Sequence, residues 1–263
     1  MLSDCNFLDL FSGIGGFRLG AEWAGLKFKN EFHSDIDDYA NKVYAKHFPD
    51  SIQLGDITKI DTEELKKYGD KWIITGGFPC QDISCAGKKE GLDGERSGLW
   101  FEMWRIIRDL QPRFLFGENV GALSIRGLNR ILGSLAEIGY DAEWQDIRAS
   151  DMGAPHRRER IWIIAYTESI GRRYSREAKT KDDLRDGVQE IREVGFTAKR
   201  GVCYDSWPSA PARAFRMDDG LPCRLDRLKC LGNSIVPQIA QLLFEQIKPF
   251  LARQDAEHNE ADN

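Results

Sequence analysis

Short apolar runs alternate along this chain with longer segments in which apolar residues recur at helical spacing, and that alternation constrains the fold more than any other feature. Asn6 to Leu10, Phe28 to Phe32, Trp72 to Thr75, Phe114 to Phe116, Ala142 to Ile147 and Arg160 to Ala165 read as strands. Gly16 to Ala24, Asp37 to His47, Leu99 to Leu110, Leu128 to Ile138 and a segment from Asn233 to about Phe250 read as helices. In the fourth of these, Leu128, Ile131, Leu132, Leu135 and Ile138 share one face. Strand and helix in turn specify an α/β domain built on a mostly parallel sheet. The last two strands flank a Gly-Pro turn and are suited to pair as a hairpin.

Composition narrows the class further. With 263 residues, 41% hydrophobic and 30% charged, the chain can bury a sizeable core and resembles no membrane protein. No run approaches the ~20 apolar residues of a membrane span, and Met1 to Phe11 lacks the pattern of a secretory signal, so a cytoplasmic location is expected. None of the six cysteines stands as Cys-x-x-Cys, and with four histidines available a metal site is not expected. Reduced thiols fit that setting.

The net charge of −5 argues against a polyanionic partner, but it is unevenly spread. Residues 148–230 carry 18 Lys and Arg against 13 Asp and Glu, a balance of +5 that leaves −10 for the rest. A solvated face and an electrostatic footprint for a polyanion are both open to that segment. From Thr167 to Arg200 the apolar anchors thin out, which reads as an insertion or small module, and the polar tail at 251–263 reads as disordered. The expected division is 1–166 for the main domain, 167–230 for the variable region and 231–250 for a returning helix.

Four local patterns carry chemistry. Phe7 to Gly16 (Phe-Leu-Asp-Leu-Phe-Ser-Gly-Ile-Gly-Gly) is a buried strand feeding a Gly-rich turn and a helix, a turn that lets the backbone approach a nucleotide. Arg18 stands where a dinucleotide fingerprint needs a small residue, which counts against NAD or FAD. Asp35, after the second strand, is placed to accept both ribose hydroxyls, and Asp56, at the end of a third, an adenine amino group. Cys80 follows the fourth strand in a loop of Gly, Pro and polar residues, a setting for a nucleophile rather than for core.

Glu118 ends the apolar run Phe114 to Phe116 and is suited to protonate or hydrogen-bond a ring nitrogen, making the adjacent carbon electrophilic toward a thiolate. No Pro-Pro-aromatic tetrapeptide of the amino-group methyltransferases occurs, so a thiol points to attack on carbon. Arg158 and Arg160 alternate at a strand start and suit a carbonyl oxygen, a carboxylate or a phosphate.

The order of these motifs resembles the DNA cytosine-5 methyltransferase family, from Asn6 to Ala165 and again from Leu231 to about Ile247. Asp9 to Phe17 is similar to its first motif, Gly77-Phe78-Pro79-Cys80-Gln81 to its nucleophile loop, and Glu118-Asn119-Val120 to its acid motif. Arg158-Glu159-Arg160 is similar to its paired arginines, and Leu231 to Val236 to its last motif.

The resemblance implies a Rossmann-like S-adenosylmethionine-dependent methyltransferase fold with a mixed, mostly parallel sheet and a small target-recognition region. It implies Cys80, Glu118, Arg158 and Arg160 as catalytic, acting on a cytosine flipped out of double-stranded DNA. S-adenosylmethionine would be held by Phe11, Gly13, Gly15, Gly16, Asp35, Ile36, Asp56, Ile57, Pro79, Asn233 and Ser234. DNA contacts would come from Gln81, Ser84, Gly87, Arg96, Ser97, Arg224 and Arg227, in an enzyme of phage or restriction-modification type expected to be monomeric.

The chain departs from the family pattern in three places. His156 replaces a frequent Gln before the arginines, and Asp35-Ile36 replaces a more frequent Glu followed by an aromatic residue. The ninth motif is not recognisable, and Trp207-Pro208 and Arg224 to Lys229 resemble phage enzymes with reduced recognition regions. So short a variable region leads to the expectation of a short target site or loose specificity. The alternatives are a catalytically silent DNA-binding relative, disfavoured by the intact Cys80, Glu118 and arginines, and a tRNA cytosine-5 methyltransferase, disfavoured by Phe78-Pro79-Cys80 and the lack of Cys-Phe-Thr.

Overall fold

The computed structural model describes residues 4–79, 98–121, 123, 127–154, 156–167, 230 and 233–261. Among the described residues seven strands form one sheet: β1 (Asn6–Leu10), β2 (Asn30–Ser34), β3 (Ile52–Gln53), β4 (Trp72–Gly76), β5 (Phe114–Val120), β6 (Tyr140–Arg148) and β7 (Glu159–Thr167). Their order is β3-β2-β1-β4-β5-β7-β6. The first five are parallel, and β7 pairs antiparallel with both β5 and β6. The hairpin read from the sequence is therefore present, with β7 folded back between its partner and β5.

Strand parity divides the core into two layers. On one face Leu8, Leu10, Trp72, Ile74 and Leu115 pack with residues of α4 (Leu99–Leu110) and α5 (Leu128–Glu137). On the other Phe7, Ile73, Phe114, Phe116, Trp162 and Ile164 pack with α1 (Gly16–Trp23) and α6 (Pro237–Ala261). In sequence, α2 (Asp38–His47), a 3-10 turn at Ile57–Lys59 and α3 (Thr62–Lys66) come between α1 and α4, and Ile57, Ile60 and Leu65 pack into the first layer. Among the described residues no helix is long and apolar enough to cross a membrane.

α1 and α6 approach closely. A Cβ on Gly20 would lie 2.5 Å from Ala240 Cβ and 2.8 Å from Gln241 N and Pro237 O, so the pair packs backbone to backbone. Lys248 Nζ donates to Ala24 O at 2.7 Å at the far end of the same contact, and Phe244 packs on Phe116 with ring centroids 4.7 Å apart.

The structure moves several boundaries. β2 begins at Asn30, not Phe28: Phe28 stacks on Phe7 at 4.5 Å before the strand, and Asn30 Nδ2 donates to Asn6 Oδ1 where pairing begins. β5 runs on through Val120, because β7 continues to pair with it, so Glu118 sits within a strand rather than beyond one. The tail expected to be disordered from residue 251 is helical through Ala261. Leu251 continues the buried stripe of Leu243, Phe244 and Ile247 at helical spacing and is itself fully buried.

Candidate active site

In an open α/β sheet, ligands collect at the carboxyl ends of strands where the order reverses. Here that point lies between β1 and β4, and the candidate residues converge on it. After β1 the chain turns through Phe11 (φ 51), Gly13 (φ 52) and Gly15 (φ 86), a left-handed sequence that glycine permits cheaply and Phe11 does not. A Cβ on Gly15 would meet Phe48 Cε2 at 2.7 Å and Tyr44 at 3.1 Å, and one on Gly16 would meet Ile235 Cβ at 2.7 Å. One on Gly13 would meet nothing within 4 Å, so the turn is packed from below and open above.

Asp35 is engaged within the protein. Oδ2 accepts Gly13 N–H and Oδ1 accepts Asp37 N–H, each at 2.8 Å, and Asn41 Nδ2 holds the Asp35 carbonyl at 2.9 Å. The carboxylate thus ties the Gly-rich turn to the start of α2, and each oxygen retains a lone pair. Next to it Ile36 is 78% exposed, an apolar side chain standing in solvent at the rim.

Asp56 caps the 3-10 turn: Oδ1 accepts Thr58 N–H at 3.0 Å and Thr58 Oγ1–H at 2.9 Å. Those bonds hold its carboxyl below the usual range. Ile57 beside it is buried, whereas Pro79 and Asn233 are exposed and Ser234 is half-buried. An open glycine turn and an exposed apolar side chain, with the partly exposed carboxylates of Asp35 and Asp56, fit a nucleoside ligand.

The acid is set by the β5–β7 register. Glu118 pairs with Trp162 and Val120 with Arg160, which puts Glu118 and Arg160 diagonally on one face. Arg160 Nε lies 3.0 Å from Glu118 Oε1. Glu118 is about nine-tenths buried, and burial pushes its carboxyl up to about 7 against the lowering pull of Arg160 and Arg158. The adjacent Asn119 points to the opposite face, where Nδ2 donates to Phe78 O at 2.8 Å and fixes the entry to the thiol loop.

Arg158 precedes β7 rather than lying in it, so strand alternation does not set its direction. Its backbone has φ 26, and Nη2 donates to Ser234 O at 2.6 Å. Burial and the neighbouring Arg160 lower its pKa. Ile235, one residue on, meets both Gly16 and Gly77: a Cβ on Gly77 would lie 3.3 Å from Ile235 Cδ1 and 3.3 Å from Glu118 Oε2. The final segment therefore joins the Gly-rich turn, Glu118 and Gly77.

Cys80, Gln81, Ser84, Gly87, Arg96, Ser97, Arg224 and Arg227 lie outside the described residues. Sequence reasoning gave no role to Asn119, Ile235 or Asp9. Asp9 is fully buried between its register partners His33 and Thr75, accepts Thr75 Oγ1–H at 2.7 Å, and is pushed up to about 7 by burial. A lone Asp amid Phe, Leu and Phe was the available signal, since a charge in a buried strand demands a partner.

A family model described as C-5 cytosine-specific DNA methylase matches residues 5–206. Among curated proteins, the type II methyltransferase M1.ScrFI of Lactococcus lactis subsp. cremoris is 42% identical over 174 residues, covering 65% of this chain and 43% of that protein. M.BsuFI of Bacillus subtilis is 33% identical over 228 residues, covering 84% of this chain and 53% of its own. A solved structure described as a putative DNA modification methyltransferase encoded within a prophage (E. coli) superposes with a TM-score of 0.51 at 28% identity, over 68% of this chain and 50% of that one. The chain spans about half the length of the curated relatives it matches.

Proposed function

The chain belongs to the C-5 cytosine-specific DNA methylase family, and we propose that it transfers a methyl group from S-adenosylmethionine to carbon 5 of cytosine in double-stranded DNA. The observation that carries this reading is the buried Glu118–Arg160 pair beside Gly77, three residues before Cys80. S-adenosylmethionine supplies an electrophilic methyl group. Phe11, Gly13, Gly15 and Gly16 form the turn that would hold it, with Asp35, Ile36, Asp56, Ile57, Pro79, Asn233 and Ser234 around the remainder.

The protein's own groups account for the activation of the base. Carbon 5 of cytosine is a poor nucleophile until a group adds across the 5,6 double bond. The Cys80 thiolate forms a bond to carbon 6, and the displaced electron pair is drawn toward nitrogen 3. A carboxyl held near 7 by burial keeps its proton in roughly half of the molecules at neutral pH and can donate it to that nitrogen. Arg160 steadies Glu118 through Nε and holds Glu159 O through Nη1, and its remaining N–H groups would be donors for the base carbonyl. After methylation, loss of the carbon 5 proton lets the Cys80–carbon 6 bond break and restores the aromatic ring and the thiolate.

Arg158 anchors the last segment through Ser234 O, and Asn119 anchors Phe78 O, so the two sides of the site are tied to the same strand pair. The region 167–230 reads the target, and its positive balance supplies the contact to phosphate. The enzyme is of restriction-modification or phage type. Bisulfite sequencing of plasmid DNA from an expressing host tests the proposal. Protected cytosines in a recurring context support it, and fully converted DNA from a host making folded protein overturns it.

A further inference from the structure

Arg105 lies on α4 and belongs to none of the motifs above. All three kinds of guanidinium nitrogen are engaged. Nη1 donates to Ile60 O and Nη2 to Ile57 O, both at 3.2 Å, while Nε donates to Glu102 Oε2 at 2.9 Å. Ile57 and Ile60 bracket the 3-10 turn that Asp56 caps. One planar fork therefore grips both ends of the turn from the protein side, and Glu102, one turn earlier on the same helix, fixes the fork's orientation.

In that same turn, the described hydrogen bonds of the Asp56 side chain both go to Oδ1. Oδ2 accepts neither of these bonds, and the residue is partly exposed at the surface. An acceptor on a surface turn recognises a donor well only if the turn is held still, because ordering it on binding would consume affinity. Apolar anchoring by buried Ile57 and Ile60 fixes the depth of the turn, and the Arg105 fork fixes its rotation.

We propose that Arg105 is a positioning residue for the cofactor: it holds the Asp56–Ile57 turn so that Asp56 Oδ2 meets the adenine amino group of S-adenosylmethionine. The inference rests on the S-adenosylmethionine reading above and deepens it. Arg105 touches no ligand atom; it acts through the turn. Lys at this position reaches one carbonyl rather than two, so it restores only part of the effect.

Calorimetric titration of the full chain with S-adenosylhomocysteine and with S-inosylhomocysteine, which carries a ring carbonyl in place of the amino group, tests this. Wild type binds the first at least about tenfold more tightly, as a site built around one hydrogen bond does. Arg105→Gln weakens S-adenosylhomocysteine about tenfold, the size of one charge-linked hydrogen bond, and leaves S-inosylhomocysteine within about twofold. Arg105→Lys falls between, and Glu102→Gln, which leaves both carbonyl bonds in place, gives a smaller loss of the same kind.

Equal weakening of both ligands in Arg105→Gln, or none, overturns the role of Arg105 and makes it an ordinary structural residue. Wild type that binds both ligands equally overturns the Asp56 assignment on which the role depends. Wild type that binds neither overturns the cofactor reading itself, and the inference with it.

Discussion

Arg160 Nε lies 3.0 Å from Glu118 Oε1, and the antiparallel register of β5 on β7 places the two there whatever else the chain does. Because Glu118 pairs with Trp162, two positions along from Arg160, a one-residue slip would turn one of them to the opposite face. The acid is thus held by backbone pairing first and by charge second. Removal of either side chain leaves the other buried and without that partner, so neither substitution reports the worth of the contact alone.

The first prediction concerns the pH profile. Burial raises the Glu118 carboxyl from 4.5 to about 7, so the proton-donating form is present below that value and lost above it. The kcat/KM for methyl transfer, which reports the free enzyme, is expected to lose its Glu118-dependent component as pH rises through about 7. Glu118→Gln is expected to lower activity on the order of 10²–10⁴-fold and to remove that limb. Steady-state rates from pH 5.5 to 9 with saturating cofactor check it.

The same shift predicts a stability effect of opposite benefit. A carboxyl whose folded pKa is raised costs nothing below its unfolded value of 4.5 and costs most once pH exceeds about 7. Glu118→Gln carries no such cost. Its stability relative to wild type is expected to increase between pH 4.5 and 7, by at most ~3 kcal/mol, in urea melts at matched ionic strength.

A third expectation rests on helix packing. Replacing a mid-helix Gly by Ala stabilises an exposed helix by about 1 kcal/mol, but a Cβ on Gly20 would lie 2.5 Å from Ala240 Cβ and 2.8 Å from two backbone atoms of α6. Gly20→Ala is therefore expected to destabilise by ~1–3 kcal/mol, the cost of overpacking a tight contact. A melt in which Gly20→Ala equals or exceeds wild type would show that α1 and α6 are not packed in this way.

Ile235 and Gly77 supply a compensation test. Gly77→Ala brings a methyl to 3.3 Å from both Ile235 Cδ1 and Glu118 Oε2, and activity is expected to fall about tenfold. Ile235→Val removes Cδ1 and opens one of the two contacts. The double variant is expected to be more active than Gly77→Ala alone, although Ile235→Val by itself loses core contacts.

Much of this architecture was legible in the sequence because it follows from local pattern. The run of Phe7 to Leu10, the helical segment from Asp37 to His47 and the apolar stripe of α5 each identify an element without help from the rest of the chain. The strands and helices lost accuracy at their ends, where tertiary pairing decides: β5 continues to Val120 only because β7 lies beside it. Asp35 follows β2 as its position in the sequence indicates, but its hydrogen bond from Gly13 N–H brings together residues 22 apart, which no spacing reveals.

Contacts across layers were the least legible. Ile235 touches Gly16 and Gly77, and Arg158 reaches Ser234 O, at separations in sequence of more than seventy residues. Arg105 reads as one more charge on an amphipathic helix until the carbonyls of Ile57 and Ile60 are seen beneath it.

The central claim is that Cys80 attacks carbon 6 of cytosine while Glu118 activates the ring, and covalent trapping tests it most directly. Duplex DNA containing 5-fluorocytosine, incubated with the protein and S-adenosylmethionine, should give a denaturation-resistant complex, because fluorine cannot leave carbon 5 as a proton does. Wild type is expected to form that complex, and Cys80→Ser is expected not to form it. Equal trapping by Cys80→Ser would contradict the assignment of the nucleophile.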